Sequence, residues 1–111
     1  GTVARLFAKY VREEKVITVE EAVRRLTSLP ADYLRIRERG RLAAGNFADV
    51  VVFDPATIQD HATFDKPHQL SSGVRDVFVN GVLTVENEAH TGAKAGRVVR
   101  GPGWTGWETA E

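Results

Sequence analysis

The most informative stretch of this sequence runs from Gly40 to Pro55 and reads G-R-L-A-A-G-N-F-A-D-V-V-V-F-D-P. Two glycines in its first half mark a turn, because glycine adopts backbone angles that other residues avoid. The run of valines and phenylalanine after Asp49 favours a strand, since β-branched and aromatic residues fit a pleated sheet. Asp54-Pro55 then ends the run with turn-forming residues. We therefore predict a buried strand over residues 49–53.

Shorter runs of the same kind predict four more strands, over residues 41–43, 74–79, 82–86 and 97–100. Asn80-Gly81 lies between two of them and supplies the two positive φ angles of a type I′ turn. These two strands are therefore expected to form an antiparallel hairpin.

Helical periodicity dominates the chain before residue 36. One apolar stripe predicts a first helix that runs to about Glu14 and buries the residues at positions 3, 6, 7, 10 and 11. Thr18 and Glu21 form a T-x-x-E capping box that begins a second helix. The apolar face of this second helix consists of Val19, Ala22, Val23 and Leu26. Pro30 is predicted to be the first residue of a short third helix that reaches about Leu34.

The order of these elements predicts an α+β fold, with two to three helices followed by a mostly antiparallel sheet. We divide the chain into a helical segment over residues 1–36 and a β-segment over residues 37–100. Within the β-segment, residues 55–73 read as a long connection because turn-forming residues recur in it. Residues 101–111 read as a loose tail, whose tryptophans pack on the body of the chain or on a neighbouring chain.

Composition excludes several classes of function. Lysine and arginine number 15, as do aspartate and glutamate, so the net charge is zero and does not favour nucleic acid or an anionic membrane. No apolar run approaches the length of a transmembrane helix. The sequence contains no cysteine, which excludes disulfides and thiolate chemistry but leaves the redox compartment undetermined. A reducing cytoplasm is taken as the default location.

The three histidines, His61, His68 and His90, are the candidate metal ligands, together with Asp60 and Asp65. One interpretation is a metal site in the 55–73 connection. The spacing of seven between the first two histidines matches neither H-x3-5-H nor the helical H-E-x-x-H arrangement. The other interpretation, solvated loop residues that contact backbone groups, is therefore favoured.

Four arginines alternate along one stretch of chain: Arg35, Arg37, Arg39 and Arg41. In an extended chain they would share one face, which is compatible with a phosphate-binding stripe or with a solvated face. Glu38 and the balanced charge favour the solvated face. Asp49 and Asp54 are expected to cap backbone groups and form turns rather than to act as acid catalysts.

Several pieces of the sequence together resemble the C-terminal part of the N-acyl-D-amino-acid deacylases, or D-aminoacylases, of the metal-dependent amidohydrolase superfamily. The central piece is the G-R-L-A-A-G-N-F-A-D-V-V-V-F-D element quoted above. The other pieces are G-T-V-A-R, Y-V-R-E-E, E-E-A-V-R-R-L-T-S-L-P-A, F-D-P-A-T, P-H-Q, V-N-G and H-T-G-A-K-A-G-R-V-V-R. They occur in the family's order and cover about nine-tenths of the chain, which makes the resemblance specific.

The resemblance implies a structural role within a larger enzyme. The helices would belong to the end of a TIM-type barrel, and the strands to the small composite β-domain of amidohydrolases. The parent enzyme would hydrolyse the amide bond of N-acyl-D-amino acids with a zinc-activated water. Its metal ligands lie upstream of Gly1 in the family, so we expect no catalytic residue, metal ligand or cofactor in this chain, and no turnover by this chain alone.

Arg5 is the one candidate substrate-binding residue that the resemblance implies. It corresponds to the arginine of the family's G-T-F-P-R motif, although Val3 and Ala4 replace the family's phenylalanine and proline. A guanidinium there would pair with a substrate carboxylate or with an acidic side chain. The alternative is an ordinary arginine on a helix surface.

The resemblance also implies partners. The family's β-domain takes its first strands from the N-terminal part of the enzyme, which would leave sheet edges and helix faces exposed here. We therefore expect the N-terminal part of the parent as a partner, and self-association, as a dimer, of the isolated piece.

Other functions stay open. One is a self-standing helix-plus-sheet module for binding or assembly, because a fold does not fix a function. Another is a regulatory metal-binding protein that uses His61 and His68. The parent could also be a hydantoinase-like relative rather than a deacylase.

Overall fold

The computed structural model describes residues 2–105, in which helices precede a sheet. The helical part consists of α1 (Thr2–Arg5), a π-helix (Leu6–Glu13), α2 (Val19–Leu26) and α3 (Ser28–Tyr33). The sheet consists of β1 (Val50–Phe53), β2 (Val74–Val79), β3 (Val82–Glu86) and β4 (Ala89–His90). All neighbouring strands are antiparallel and follow chain order. The predicted α+β fold is confirmed, whereas the division at residues 36 and 100 stays a prediction.

The first helix differs from the predicted α-helix because most of it is a π-helix. The backbone N–H of Glu14 donates to the carbonyl of Lys9, five residues earlier, at 2.8 Å. Each residue of a π-helix rotates by a smaller angle about the helix axis than a residue of an α-helix. The apolar side chains are therefore distributed differently around the helix. Phe7 and Ala8 are buried as a result, whereas Tyr10, which an α-helix would place beside Phe7, is exposed.

The second helix begins where the capping signal predicts. Thr18 lies at the N-cap, and its hydroxyl accepts a hydrogen bond from the Glu21 N–H at 3.1 Å. The reciprocal half of the capping box does not form, because the Glu21 carboxylate instead accepts hydrogen bonds from Arg24 and Arg25. Only Ala22 of the predicted apolar face is fully buried, and Val23 and Leu26 are exposed.

The predicted start of the third helix at Pro30 is wrong by two residues. The helix begins at Ser28, which makes Pro30 its third residue. A proline fits there because the first N–H groups of a helix have no acceptor within the helix. It would not fit in a continued second helix, where residue 30 would have to donate to the carbonyl of Leu26. The break therefore falls at Thr27, ahead of the proline.

The hairpin between β2 and β3 is confirmed. Asn80 and Gly81 have φ angles of 49° and 79°, both positive as a type I′ turn requires. The N–H of Gly81 also donates to the carbonyl of Ala48 at 2.9 Å, which connects the turn to the chain just before β1.

Two predicted strands are absent from the sheet. Residues 41–43 instead enter a turn, in which Asn46 donates to the carbonyls of Ala43 and Arg41. Residues 97–100 form no strand, and the outer side of β3 pairs at Val85 and Glu86 with β4 instead. The chain reverses before β4 at Asn87 and Glu88, which have φ angles of 47° and 67°.

The core lies between the helices and the start of the long connection. It contains Ala4, Phe7, Ala22 and Ile58, and the rings of Phe7 and Phe53 lie 4.9 Å apart. Ile58 is only 2% exposed, so residues 55–73 hold the helices against the sheet although they contain no helix or strand. Trp104 packs on the guanidinium of Arg100 at 4.0 Å, and Trp107 lies outside the described residues.

Candidate functional site

Arg5 and Asp60 form an ion pair between α1 and the long connection. Nη2 of Arg5 lies 2.8 Å from Oδ2 of Asp60 and donates to the carbonyl of Ala62 at 3.2 Å. The Asp60 side chain is 6% exposed, whereas that of Arg5 is 54% exposed. Of the two partners expected for Arg5, a substrate carboxylate or an acidic side chain, the structure thus places the second, Asp60, beside it.

The environment of Asp60 keeps its carboxylate ionised. The N–H of Ala62 donates to Oδ1 of Asp60 at 3.0 Å, and this bond, followed by the charge of Arg5, lowers the pKa of Asp60 below its ordinary value. Burial acts in the opposite direction, because desolvation disfavours the charged form. The net result is a stable negative charge that orients the guanidinium.

Part of the Arg5 guanidinium is available for a ligand. Nη2 serves both Asp60 and Ala62, and Nη1 and Nε have no acceptor among residues 2–105. An exposed guanidinium edge can donate charge-assisted hydrogen bonds to an anion such as a carboxylate. The role of Arg5 in substrate binding stays a prediction.

Arg12 makes a second set of contacts with the same connection, which the sequence analysis did not find. Nη1 donates to the carbonyls of Pro55 and Ile58 at 3.1 and 2.9 Å, and Nη2 donates to Oε1 of Gln59 at 3.0 Å. Periodicity does not identify this arginine, because it lies off the apolar stripe among other charged residues; its one sequence signal is its place in the Y-V-R-E-E piece of the family resemblance. Its acceptors follow more than 40 positions later.

The three histidines do not come together. His61 shares a hydrogen bond with Ser72 at 2.7 Å, and Nδ1 of His90 accepts the N–H of Gly92 at 3.1 Å. His68 is exposed. Within the described part of the chain, no three His, Asp or Glu side chains are placed to hold a metal ion. These residues therefore do not fit a zinc site, and no step of a reaction can be derived through one here.

Asp49 caps backbone, as predicted, and also anchors Arg39. Its Oδ1 accepts the N–H of Asn80 at 2.8 Å, while Oδ2 pairs with Nη1 of Arg39. Nη2 of Arg39 donates to Oδ1 of Asn80 at 2.7 Å, and the guanidinium lies 4.1 Å from the ring of Phe47. This Arg39 cluster (Arg39, Phe47, Asp49 and Asn80) connects the chain before β1 to the hairpin turn.

Two of the alternating arginines, Arg39 and Arg41, have different acidic partners. Arg39 belongs to the cluster just described, and Arg41 donates to both carboxylate oxygens of Asp32 at 2.8 and 2.6 Å. Those hydrogen bonds lower the pKa of Asp32. Asp54 forms the predicted turn, since its Oδ1 accepts the N–H of Ala56 at 2.9 Å.

Concave surfaces near these residues are open. A groove of about 590 Å³ lies between the end of the π-helix and Pro55-Ala56, with Val11, Ile17 and Val19 among its lining residues. Neither Arg5 nor Asp60 lines it. No described helix combines the length and apolar character needed to cross a bilayer, and the cytoplasmic location stays a prediction.

Comparison with known proteins identifies relatives for most of the chain. The sequence profile of the Amidohydrolase family matches residues 2–85. A D-aminoacylase of Alcaligenes xylosoxydans xylosoxydans is 43% identical over 99 residues, which are 89% of this chain and 20% of that protein.

Solved structures agree with the sequence relationship. A crystal structure of D-aminoacylase superposes with a TM-score of 0.85 and 41% identity, over 89% of this chain and 21% of that one. The N-acyl-D-glutamate deacylase of Bordetella bronchiseptica, solved with zinc and a phosphonate inhibitor, gives a TM-score of 0.72 and 48% identity. That match covers 73% of this chain and 17% of the deacylase. The chain spans about a fifth of the length of the relatives it matches. It belongs to the amidohydrolase family.

Proposed function

We propose that this chain is the non-catalytic C-terminal part of a larger amidohydrolase that cleaves the amide bond of N-acyl-D-amino acids. The observation that carries the proposal is the match to a D-aminoacylase over 89% of this chain and 20% of that protein. The chain contributes structure to the enzyme, and the remainder of the parent contributes the reacting groups. Zinc, present in the related deacylase structure, would be held by that remainder.

The surface of the chain supports the need for a larger partner. Its accessible area is 8564 Å², whereas a compact monomer of 12.2 kDa exposes about 6,100 Å². Its radius of gyration is 16.3 Å, compared with about 13 Å for a compact domain of 111 residues. The chain is therefore less compact than an independent domain of its size.

The helical end carries much of the apolar part of this surface. Val23, Leu26 and Leu29 are 37%, 39% and 44% exposed along α2 and the start of α3. Leucine and valine on successive helical turns are typical of a helix face that packs against another element. We assign this face to contact with the N-terminal part of the parent enzyme.

Arg5 is the residue that we propose to act on substrate in the whole enzyme. Asp60 holds one end of the guanidinium, and the exposed Nη1 and Nε are available to donate to the substrate carboxylate. Orientation by a buried carboxylate would reduce the entropy lost when the substrate binds.

A chimera tests the proposal. The matching 99 residues of the Alcaligenes D-aminoacylase are replaced by this chain, and hydrolysis of N-acetyl-D-amino acids is compared with that of the L-isomers. We expect the chimera to retain the activity and the D-preference, and this chain alone with added zinc to have neither. A folded chimera with full metal content and no activity would contradict the proposal.

The same chimera tests Arg5. Changing Arg5 to Ala should raise KM by about tenfold or more, because a charge-assisted hydrogen bond is worth about 1.5–3 kcal/mol. Arg5→Lys, which keeps the charge, should be less affected. An unchanged KM in both variants would assign Arg5 to a structural role only.

A further inference from the structure

The tip of the β2–β3 hairpin holds the one Asn-Gly dipeptide of the sequence, Asn80-Gly81. The other two asparagines, Asn46 and Asn87, are followed by phenylalanine and glutamate. Asparagine is chemically labile because the backbone nitrogen of the next residue attacks its side-chain amide. A glycine in that next position has no Cβ to obstruct the attack. The dipeptide is therefore the position at which spontaneous deamidation is expected first.

The reaction consumes only water. Hydroxide removes the proton of the Gly81 N–H, the nitrogen forms a bond to Cγ of Asn80, and the Nδ2 group takes up a proton from water and leaves as ammonia. Water then opens the cyclic succinimide at either of its carbonyls. Opening at Cγ gives aspartate, and opening at the backbone carbonyl gives isoaspartate, in which the chain continues through the side chain.

The backbone of the turn keeps the reacting atoms apart. Ring closure requires the Gly81 nitrogen to eclipse Cβ of Asn80 about the Cα–C bond. Asn80 has a φ of 49°, in the left-handed region, where ψ is typically about +47° and this nitrogen lies almost opposite Cβ. The N–H of Gly81 is also engaged, since it donates to the carbonyl of Ala48 at 2.9 Å. Attack therefore requires the turn to open.

The side-chain amide of Asn80 is held at both ends. Its Oδ1 accepts a hydrogen bond from Nη2 of Arg39 at 2.7 Å, and its Nδ2 donates to the carbonyl of Ala95 at 2.8 Å. Arg39 is in turn anchored by Asp49, whose Oδ1 also accepts the Asn80 N–H at 2.8 Å. The arginine side chain is only 16% exposed. Rotating Cγ of Asn80 toward the Gly81 nitrogen would break the contacts with both Arg39 and Ala95.

We propose that the Arg39 cluster protects Asn80 from deamidation, and that Asn80 is the modification site of this chain whenever the cluster opens. The rate of deamidation then follows the population of the locally open form. Arg39 also has an opposing effect, because a cation beside Oδ1 polarises the carbonyl and favours attack at Cγ. The restraint is the larger effect, since the attack geometry is not reached while the hydrogen bonds persist. This inference is independent of the proposed enzymatic function.

The product does not restore the cluster. A carboxylate at position 80 still accepts a hydrogen bond from Arg39, but it has no N–H to donate to the carbonyl of Ala95. It also adds a negative charge beside Asp49, which pairs with the same arginine. Isoaspartate in addition lengthens the backbone of the hairpin turn. Deamidation would therefore loosen the hairpin from the segment at Ala95.

Peptide mapping by mass spectrometry after incubation at mildly alkaline pH tests the proposal. In the chain unfolded in urea, Asn80 should deamidate ahead of Asn46 and Asn87, and in the folded chain Asn80 should react at least about tenfold more slowly. Arg39→Ala should raise the rate in the folded chain about tenfold, because a hydrogen bond from a charged group contributes about that factor to the closed state. Equal rates at Asn80 in the folded and unfolded chain would overturn the proposal. So would a rate in Arg39→Ala at or below that of the unmodified chain, which would mean that Arg39 does not restrain the amide.

Two controls separate the cluster from general stability. Arg41→Ala removes an arginine that pairs with Asp32 at the surface, and it should leave the rate at Asn80 unchanged. Acceleration equal to that of Arg39→Ala would overturn the proposal. If Arg39→Ala fails to fold, the unmodified chain decides. At urea concentrations below global unfolding, deamidation at Asn80 should rise in proportion to hydrogen exchange of the Gly81 N–H, since both reactions need that N–H to be released. Deamidation that does not follow this exchange would contradict the proposal.

Discussion

The Arg5 guanidinium and the Asp60 carboxylate lie 2.8 Å apart and connect the first helix to a connection 55 positions later. Asp60 is almost completely buried, and the N–H of Ala62 together with Arg5 compensates its charge. A buried carboxylate that lost either partner would keep its desolvation cost without the compensating interaction. This ion pair is therefore important to the stability of the chain as well as to the orientation of Arg5.

Acid should weaken the fold through Asp60. The Ala62 N–H and the charge of Arg5 lower the pKa of Asp60 in the folded chain. The stability from this group is then fully present above the pKa of an unfolded aspartate, about 3.9, and is lost as pH falls through the lowered folded value. Urea unfolding midpoints should decline below about pH 4, and Asp60→Asn should lower the midpoint at pH 7 and flatten the decline.

A carboxylate elsewhere in the connection provides the control. Asp65 is exposed, so Asp65→Asn should leave the midpoint at pH 7 unchanged. If Asp60→Asn and Asp65→Asn gave the same acid profile as the unmodified chain, the ion pair would contribute nothing to stability.

Removal of the Arg12 side chain should separate the helix from the connection. Its guanidinium donates to the carbonyls of Pro55 and Ile58 and to the side chain of Gln59. It therefore holds the backbone around the buried side chain of Ile58. Arg12→Ala should lower the free energy of unfolding by about 2 kcal/mol, since hydrogen bonds from a charged group are worth about 1.5–3 kcal/mol. Denaturant titration measures the loss.

Arg12→Lys distinguishes geometry from charge. An ammonium cannot reproduce a fork that reaches three acceptors, so this variant should retain only part of the stability. Full stability in Arg12→Lys would show that charge alone accounts for the contribution.

Features encoded by neighbouring residues could be predicted from the sequence. Asn80-Gly81 requires only its own backbone angles to form the hairpin, and Thr18 requires only the N–H of Glu21 three residues later. In both cases the decisive interaction lies within a few positions. The predicted strand over residues 49–53 is observed as Val50–Phe53, although it depends on long-range pairing with β2. The prediction that this strand is buried is wrong, because it lies at the edge of the sheet and Val51 and Val52 are 53% and 42% exposed.

Features that depend on distant partners could not be predicted. Residues 41–43 have strand-like composition, but a strand exists only where a second backbone pairs with it, and here Asn46 turns the chain instead. The periodicity of residues 3–11 indicates an α-helix. It does not indicate the π-helix that is observed where this segment packs against Ile58 and Phe53. The acceptors of Arg12 and the pairing of Arg5 with Asp60 are likewise tertiary.

Gly73 is predicted to tolerate no side chain. It has a φ of +90°, and a Cβ there would lie 2.3 Å from Cα and 2.6 Å from N of Ile58. The backbone of the core residue would have to move. Gly73→Ala should therefore cost about 1–2 kcal/mol for the left-handed conformation, and about 1–3 kcal/mol more for the clash.

Gly92→Ala isolates the first of these costs. Gly92 has a φ of +85°, and a Cβ there would have no atom within 4 Å. Thermal or urea unfolding should place Gly73→Ala about 2 kcal/mol below Gly92→Ala, which is the cost of overpacking alone. Equal stabilities of the two variants would mean that the contact between Gly73 and Ile58 is looser than the structure indicates.

Arg39 and Asn80 should prove energetically coupled. Nη2 of Arg39 donates to the side-chain oxygen of Asn80 at 2.7 Å, and Arg39 is only 16% exposed. In a double-mutant cycle, Asn80→Gly removes the acceptor but keeps a residue suited to the positive φ, so the hairpin turn survives. Combined with Arg39→Ala, it should give an interaction free energy of about 1 kcal/mol in urea unfolding, as expected for residues in one hydrogen-bond network.

Arg41→Ala serves as the reference, because Arg41 pairs with Asp32, both are more than half exposed, and neither contacts Asn80. That pair of substitutions should be additive within about 0.5 kcal/mol. Additivity in both cycles would mean that the Arg39 cluster does not hold the chain before β1 against the hairpin.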